Sequence, residues 1–144
     1  MVQPRILAEG FAVAPQLEPS DFAELAAAGY KTIINNRPDG EAADQLSSTE
    51  AQTLAEEAGL NYVYIPLTLR TLTPEVVDVF AQALQDNPAP VVAHCLSGTR
   101  SCILWSMVQG KAGNGSLEEL MEWAAQGGYD LTSVRPLIEE YIHS

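Results

Sequence analysis

A chain of 144 residues with 19 acidic and seven basic side chains, a formal charge of −12 and a 47% apolar share is long enough for a core and fits a single domain over residues 1–144. The charge argues against nucleic acid, whose phosphates demand lysine and arginine, and against an anionic membrane surface; no apolar run reaches membrane-spanning length. Without a signal-peptide pattern and with only two cysteines, the chain is expected in a reducing cytoplasm, and nothing in the sequence fixes an oligomeric state.

Ile6 to Ala14 holds two short apolar runs around Glu9-Gly10, an edge strand or hairpin. Pro15 and Pro19 mark the loop that follows. Ser20 or Asp21 can cap a helix with Phe22, Leu25 and Ala26 on its inner face, ended by Gly29. Lys31 to Asn35 reads as a strand. The loop after it carries Arg37, the turn residues Pro38 and Gly40, and the carboxylates Asp39 and Glu41. Ser47-Ser48-Thr49-Glu50 is a capping box for a helix running to Gly59. Asn61 to Leu67 alternates, with Val63 and Ile65 on one side and Tyr62 and Tyr64 on the other; a loop carrying Arg70 follows. Thr73-Pro74-Glu75 starts a helix, and Asn87-Pro88-Ala89-Pro90 breaks it. Gly110 to Gly115 reads as a loop and leads into a second capping box, Ser116 to Glu119. Its helix ends at Gly127-Gly128, and a last helix turns Leu137, Ile138 and Tyr141 inward.

The chemistry gathers between residues 91 and 105. Val91-Val92-Ala93 is a buried strand signal, and Ile103, Leu104, Met107 and Val108 recur at helical spacing. Cys95 to Arg100 is then a tight loop between strand and helix. Backbone N–H groups of such a loop, with the unpaired N–H groups of the helix behind it, surround an anion with donors. Leu96, Ser97, Gly98 and Thr99 supply that cradle, and Gly98 permits the positive φ it needs. The same field favours Cys95 as thiolate, the reactive form. Arg100 offers a two-toothed fork to an oxyanion. Ser101 is positioned for its hydroxyl to bond the sulfur. Arg37, Arg70 and Arg100 each follow a strand-like run, so a parallel sheet puts all three at its carboxyl edge, where α/β proteins bind ligands. Cys102 is expected to be a buried thiol.

His94-Cys95 followed by Gly98, Arg100 and Ser101 resembles the signature loop of cysteine-dependent phosphatases. Together with Asn35-Asn36-Arg37-Pro38-Asp39-Gly40-Glu41 and Gly128-Tyr129-Asp130-Leu131, it resembles the phosphatase-like domain of beta-lactamase-hydrolase-like proteins. The resemblance implies a three-layer α/β fold, with a mostly parallel sheet of four to five strands and helices on both faces. It implies Cys95 as a covalent nucleophile toward phosphomonoesters, with Arg100 and the loop amides holding the phosphoryl oxygens and Ser101 stabilising the leaving sulfur. No cofactor and no metal is called for.

Four residues separate Cys95 from Arg100, where most cysteine phosphatases have five. A loop of this size also occurs in rhodanese-like sulfurtransferases, in which the cysteine carries a persulfide. The loop after Leu67 offers no carboxylate as general acid, leaving Asp39 first and Glu41 second. The expected substrate is therefore a small anion, either a phosphate ester or a sulfane-sulfur donor. A non-catalytic domain binding oxyanions or a partner through the same cradle is the third reading.

Overall fold

The computed structural model describes residues 2–144. A five-stranded sheet runs in the order β1-β2-β5-β3-β4. Its strands are β1 (Arg5–Ala8), β2 (Phe11–Ala14), β3 (Thr32–Asn35), β4 (Asn61–Tyr64) and β5 (Val91–His94). The Glu9-Gly10 turn folds β1 antiparallel onto β2, and every other pairing is parallel. The predicted hairpin is therefore present, although β2 lies inside the sheet, between β1 and β5.

Alternation along the strands builds two cores. Phe11, Val13, Ile34, Val91 and Ala93 face α3 (Pro74–Asp86), α4 (Thr99–Lys111), α5 (Leu117–Gln126) and α6 (Arg135–Ile142). Ala14, Ile33 and Val92 face α1 (Pro19–Ala27) and α2 (Ser48–Glu57). Three layers result, as expected. In the larger core Phe11 stacks on Trp105 with centroids 6.0 Å apart and meets Phe80 edge-on at 6.3 Å. Each such pair adds roughly 0.5–1.5 kcal/mol beyond the burial of its rings.

Helix starts follow local chemistry. Ser47 and Ser116 form the predicted capping boxes, and Thr73 accepts from the Val76 N–H. Two boundaries differ from expectation. α1 begins at Pro19 behind Glu18 as N-cap, because Asp21 reaches back to the Glu18 N–H (2.7 Å) and binds the Val2 N–H (3.1 Å). α4 does not stop before Gly110 but runs to Lys111. Gly110 serves packing: a Cβ there would collide with Ile142 of α6.

The parallel register places the site. Ala14 and Asn35 both pair with His94, and Asn35 pairs with Tyr64. The four strands thus end level, and the residues following them emerge side by side at the carboxyl edge.

Candidate active site

Cys95 leaves the central strand and is 1% exposed. The loop proper is Cys95–Gly98, shorter than expected, since α4 starts at Thr99 and takes Arg100 into its first turn. Gly98 has φ +101° and donates its N–H to Cys95 Sγ at 3.1 Å. α2, α3 and α5 have side-chain N-caps, but α4 has none. The N–H groups of Leu96, Ser97, Arg100 and Ser101 donate to no protein acceptor among the described residues. Uncapped donors at a helix start are the makings of an anion site. Ser97 and Thr99 turn their hydroxyls to each other at 3.0 Å, and Leu96 is exposed at the rim.

Arg100 is anchored from the long loop after β3. Its Nη1 donates to Glu41 Oε2 (2.8 Å) and to the Leu67 carbonyl (2.9 Å), and its Nη2 to Glu41 Oε1 (3.0 Å). A guanidinium has five N–H donors. With three committed, the Nε–H and the second Nη2–H remain, and these two lie parallel along one side of the group. Arg37 braces Glu41 from behind, with Nε donating to Oε1 at 2.9 Å and Nη1 to Gln16 at 3.1 Å. The hydrogen bond from Arg100 holds the Glu41 carboxyl below the usual carboxylate range, against its partial burial and with help from Arg37. In turn, Glu41 raises the Arg100 pKa above its ordinary value.

Several expected site residues are directed elsewhere. Asp39 is bonded to the start of α2, accepting from the Ser48 N–H (2.8 Å) and hydroxyl (2.6 Å). The Ser101 hydroxyl donates to Asn36 Oδ1 at 2.7 Å rather than to the sulfur. Arg37 is buried and faces Glu41 and Gln16, so it supports the site from behind. Arg70 is exposed in a single turn after Leu67, and no described residue forms an ion pair with it. Beside the loop, a polar cleft of about 560 Å³ opens between Gln16, Arg37, Gln45 and Leu96, within the range of small-molecule sites.

His94 is fully buried, and its Nδ1 lies 3.4 Å from the Cys95 carbonyl oxygen. Burial pushes its pKa down to about 4, against that hydrogen bond. The ring is therefore neutral at pH 7, and its Nε2 is buried with no hydrogen-bond partner among the described residues. Cys102 is buried as expected, and burial drives its thiol up to about 12, which leaves it inert near neutrality. Three contributors have no role assigned from the sequence: Gln16, and Asn36 and Tyr129, which stand in the segments that carry the resemblance. Asn36 carries a fully buried amide that donates to the Ile65 carbonyl at 2.9 Å while accepting from Ser101. A polar pair at the end of an apolar strand, Asn35-Asn36, is the signal that marks it.

A sheet of this order, with a cysteine leaving its central strand into the uncapped start of a helix, defines the cysteine-dependent phosphatase-like class. The chain belongs to the family of the beta-lactamase hydrolase-like protein, phosphatase-like domain, whose profile matches residues 3–112. It is 33% identical over 131 residues to a beta-lactamase hydrolase-like protein of Agrobacterium fabrum, covering 91% of this chain and 30% of that protein. A Xylella fastidiosa protein of the same name is 32% identical over 123 residues, covering 85% and 28%. The chain thus spans less than a third of the curated relatives it matches. A crystal structure from Neisseria meningitidis, provisionally described as a phosphatase, superposes with a TM-score of 0.86 at 31% identity over 94% of this chain and 96% of that one. The catalytic core of the yeast PP-IP phosphatase Siw14 shares the fold, with a TM-score of 0.68 at 15% identity over 97% and 83%.

Proposed function

We propose that this domain is a hydrolase of small phosphomonoesters that works through a cysteinyl-phosphate. Cys95 as thiolate forms the S–P bond while the P–O ester bond breaks; water then attacks phosphorus and returns the thiolate. The observation that carries the reading is the free side of Arg100, its Nε–H and one Nη2–H, beside the uncapped start of α4 and the sulfur that Gly98 addresses. Donors held in advance stabilise equatorial oxygens without reorganisation.

The leaving group needs a proton, and neither candidate acid suits the task. Asp39 is tied to α2, and Glu41 is kept ionised by two arginines. Esters whose leaving groups depart as stable anions, aryl phosphates first, are the favoured substrates. The same observation favours a second reading, sulfur transfer. There Cys95 attacks the sulfane sulfur of thiosulfate, an S–S bond forms, sulfite leaves, and cyanide takes the sulfur as thiocyanate. That sequence requires no acid.

The test is an aryl phosphate assay run beside thiosulfate plus cyanide, with wild type and Cys95→Ser. Aryl phosphate turnover that disappears in the variant is the expected result. Thiocyanate formation alone would replace the first reading with the second. Turnover surviving Cys95→Ser in either assay would end both.

A further inference from the structure

The peptide unit joining Ser97 to Gly98 is held at both of its polar ends. Its N–H donates to Cys95 Sγ at 3.1 Å, and its carbonyl oxygen accepts from the Tyr129 hydroxyl at 3.0 Å. In a planar trans peptide these two groups point in opposite directions. Fixing the oxygen therefore aims the N–H. Donation to the carbonyl also polarises the amide and makes its N–H a stronger donor.

The surroundings keep that geometry. Gly98 has φ +101°, and a Cβ there would collide with the Tyr129 hydroxyl and come within 3.3 Å of the Ala14 carbonyl oxygen. Tyr129 is 7% exposed, and burial raises its hydroxyl pKa, so it remains a donor at neutral pH. Across the ring lies the Arg5 guanidinium, 5.5 Å from the centroid, while Arg5 Nη1 donates to the Gly127 carbonyl at 2.8 Å. Strand β1 and the end of α5 thus seat the ring against the loop.

We propose that Tyr129 is a positioning residue for the nucleophile, its hydroxyl holding the Ser97–Gly98 peptide so that the N–H stays on the Cys95 sulfur. Tyr129 lies beyond residues 3–112, the span of the family profile, in the Gly128-Tyr129-Asp130-Leu131 segment of the resemblance. The C-terminal segment of the chain is then part of the nucleophile's environment. The proposal rests on the reading of Cys95 as nucleophile, but its test uses no substrate.

Iodoacetamide alkylation of Cys95, followed by peptide mass spectrometry across pH, is compared in wild type, Tyr129→Phe and Arg5→Met. At pH 7, Tyr129→Phe is expected to react about fivefold more slowly and to converge with wild type at strongly alkaline pH. Its Gly98 amide proton resonance is expected to move upfield as the bond to sulfur weakens. Arg5→Met loosens the seat of the ring but keeps the hydroxyl, and is expected to fall between wild type and Tyr129→Phe. Uniform slowing of Tyr129→Phe at every pH, an unmoved Gly98 resonance, or a larger displacement in Arg5→Met than in Tyr129→Phe would overturn the assignment. Cys95→Ser that still turns over substrate would instead remove the nucleophile reading, whatever Tyr129 does to alkylation.

Discussion

From β5 the chain reaches its next helix through four residues, 95–98; from β3 it needs twelve, 36–47. Both loops leave the same edge of the sheet in register, yet they are held by different means. The short one works through its backbone: a glycine at positive φ, one N–H on sulfur and further N–H groups left free. Its long neighbour is built from side chains. Asp39 binds Ser48, Gln45 donates to the Pro38 carbonyl and accepts from the Ala42 N–H, and Arg37 grips Glu41. A backbone cradle tolerates changes at Leu96 or Ser97 better than a side-chain scaffold tolerates changes at its anchors.

The joint between the loops is the Arg100–Glu41 pair, and breaking it has the largest expected effect. Arg100→Lys removes the planar fork that both Glu41 and an oxyanion require, and kcat/KM is expected to fall by about 10²–10³. Glu41→Gln keeps one acceptor and is expected to cost about tenfold, by loosening Arg100 while adding no new group to the site. Because each change disturbs the same contact, the double variant is expected to lose less than the product of the two. Steady-state kinetics on all four proteins closes the cycle. A strictly multiplicative loss would mean that the long loop does not position the fork.

His94 sharpens the contrast from beneath the short loop. Its folded pKa of about 4 lies below the ordinary 6.5, so between those values the unfolded chain binds a proton that the folded one refuses. Stability therefore rises with pH across this window and is lost as pH falls through it, by about 3 kcal/mol in all. Glu41, also depressed, withdraws its contribution only at lower pH, as it protonates below the usual carboxylate range. Urea unfolding from pH 7 to pH 4, compared with His94→Gln, is expected to show the wild-type advantage shrinking by that amount. A difference between the two proteins that stays constant with pH would mean that the imidazole is not held neutral.

The same contrast explains what could be read in the sequence. Strands, capping boxes, helix faces and the signature segment announce themselves through periodicity, Ser-x-x-Glu spacing and a glycine between cysteine and arginine. Each depends on neighbours within a few residues. The long loop depends on which distant group each carboxylate meets. Asp39 and Glu41 are two residues apart with the same chemistry, yet one binds Ser48 and the other Arg100, 59 positions away. Tyr129 meets Ser97 across 32 positions. Nothing local to Ser101 says that its hydroxyl bonds an amide on another strand end rather than the sulfur six residues before it. Those assignments are made by the sheet register, which the sequence pattern implies only through the whole fold.

The smallest expected effect decides the role of Asp39. As a cap on α2 its carboxylate satisfies the Ser48 N–H and hydroxyl together, so Asp39→Ala is expected to lower stability by about 1 kcal/mol. Asp39→Asn keeps one oxygen to accept the Ser48 N–H and is expected to cost less. Neither change reaches Arg100, because Glu41 and the Leu67 carbonyl hold it independently. Turnover of an aryl phosphate by Asp39→Asn is therefore expected to retain the wild-type rate and the basic limb of its pH–rate profile. A general acid would behave oppositely: stability would be little changed, while the basic limb would vanish and alkyl esters would suffer more than aryl ones. Loss of that limb would mean that the long loop swings its carboxylate off α2 during turnover, and the side-chain scaffold would then be a moving part.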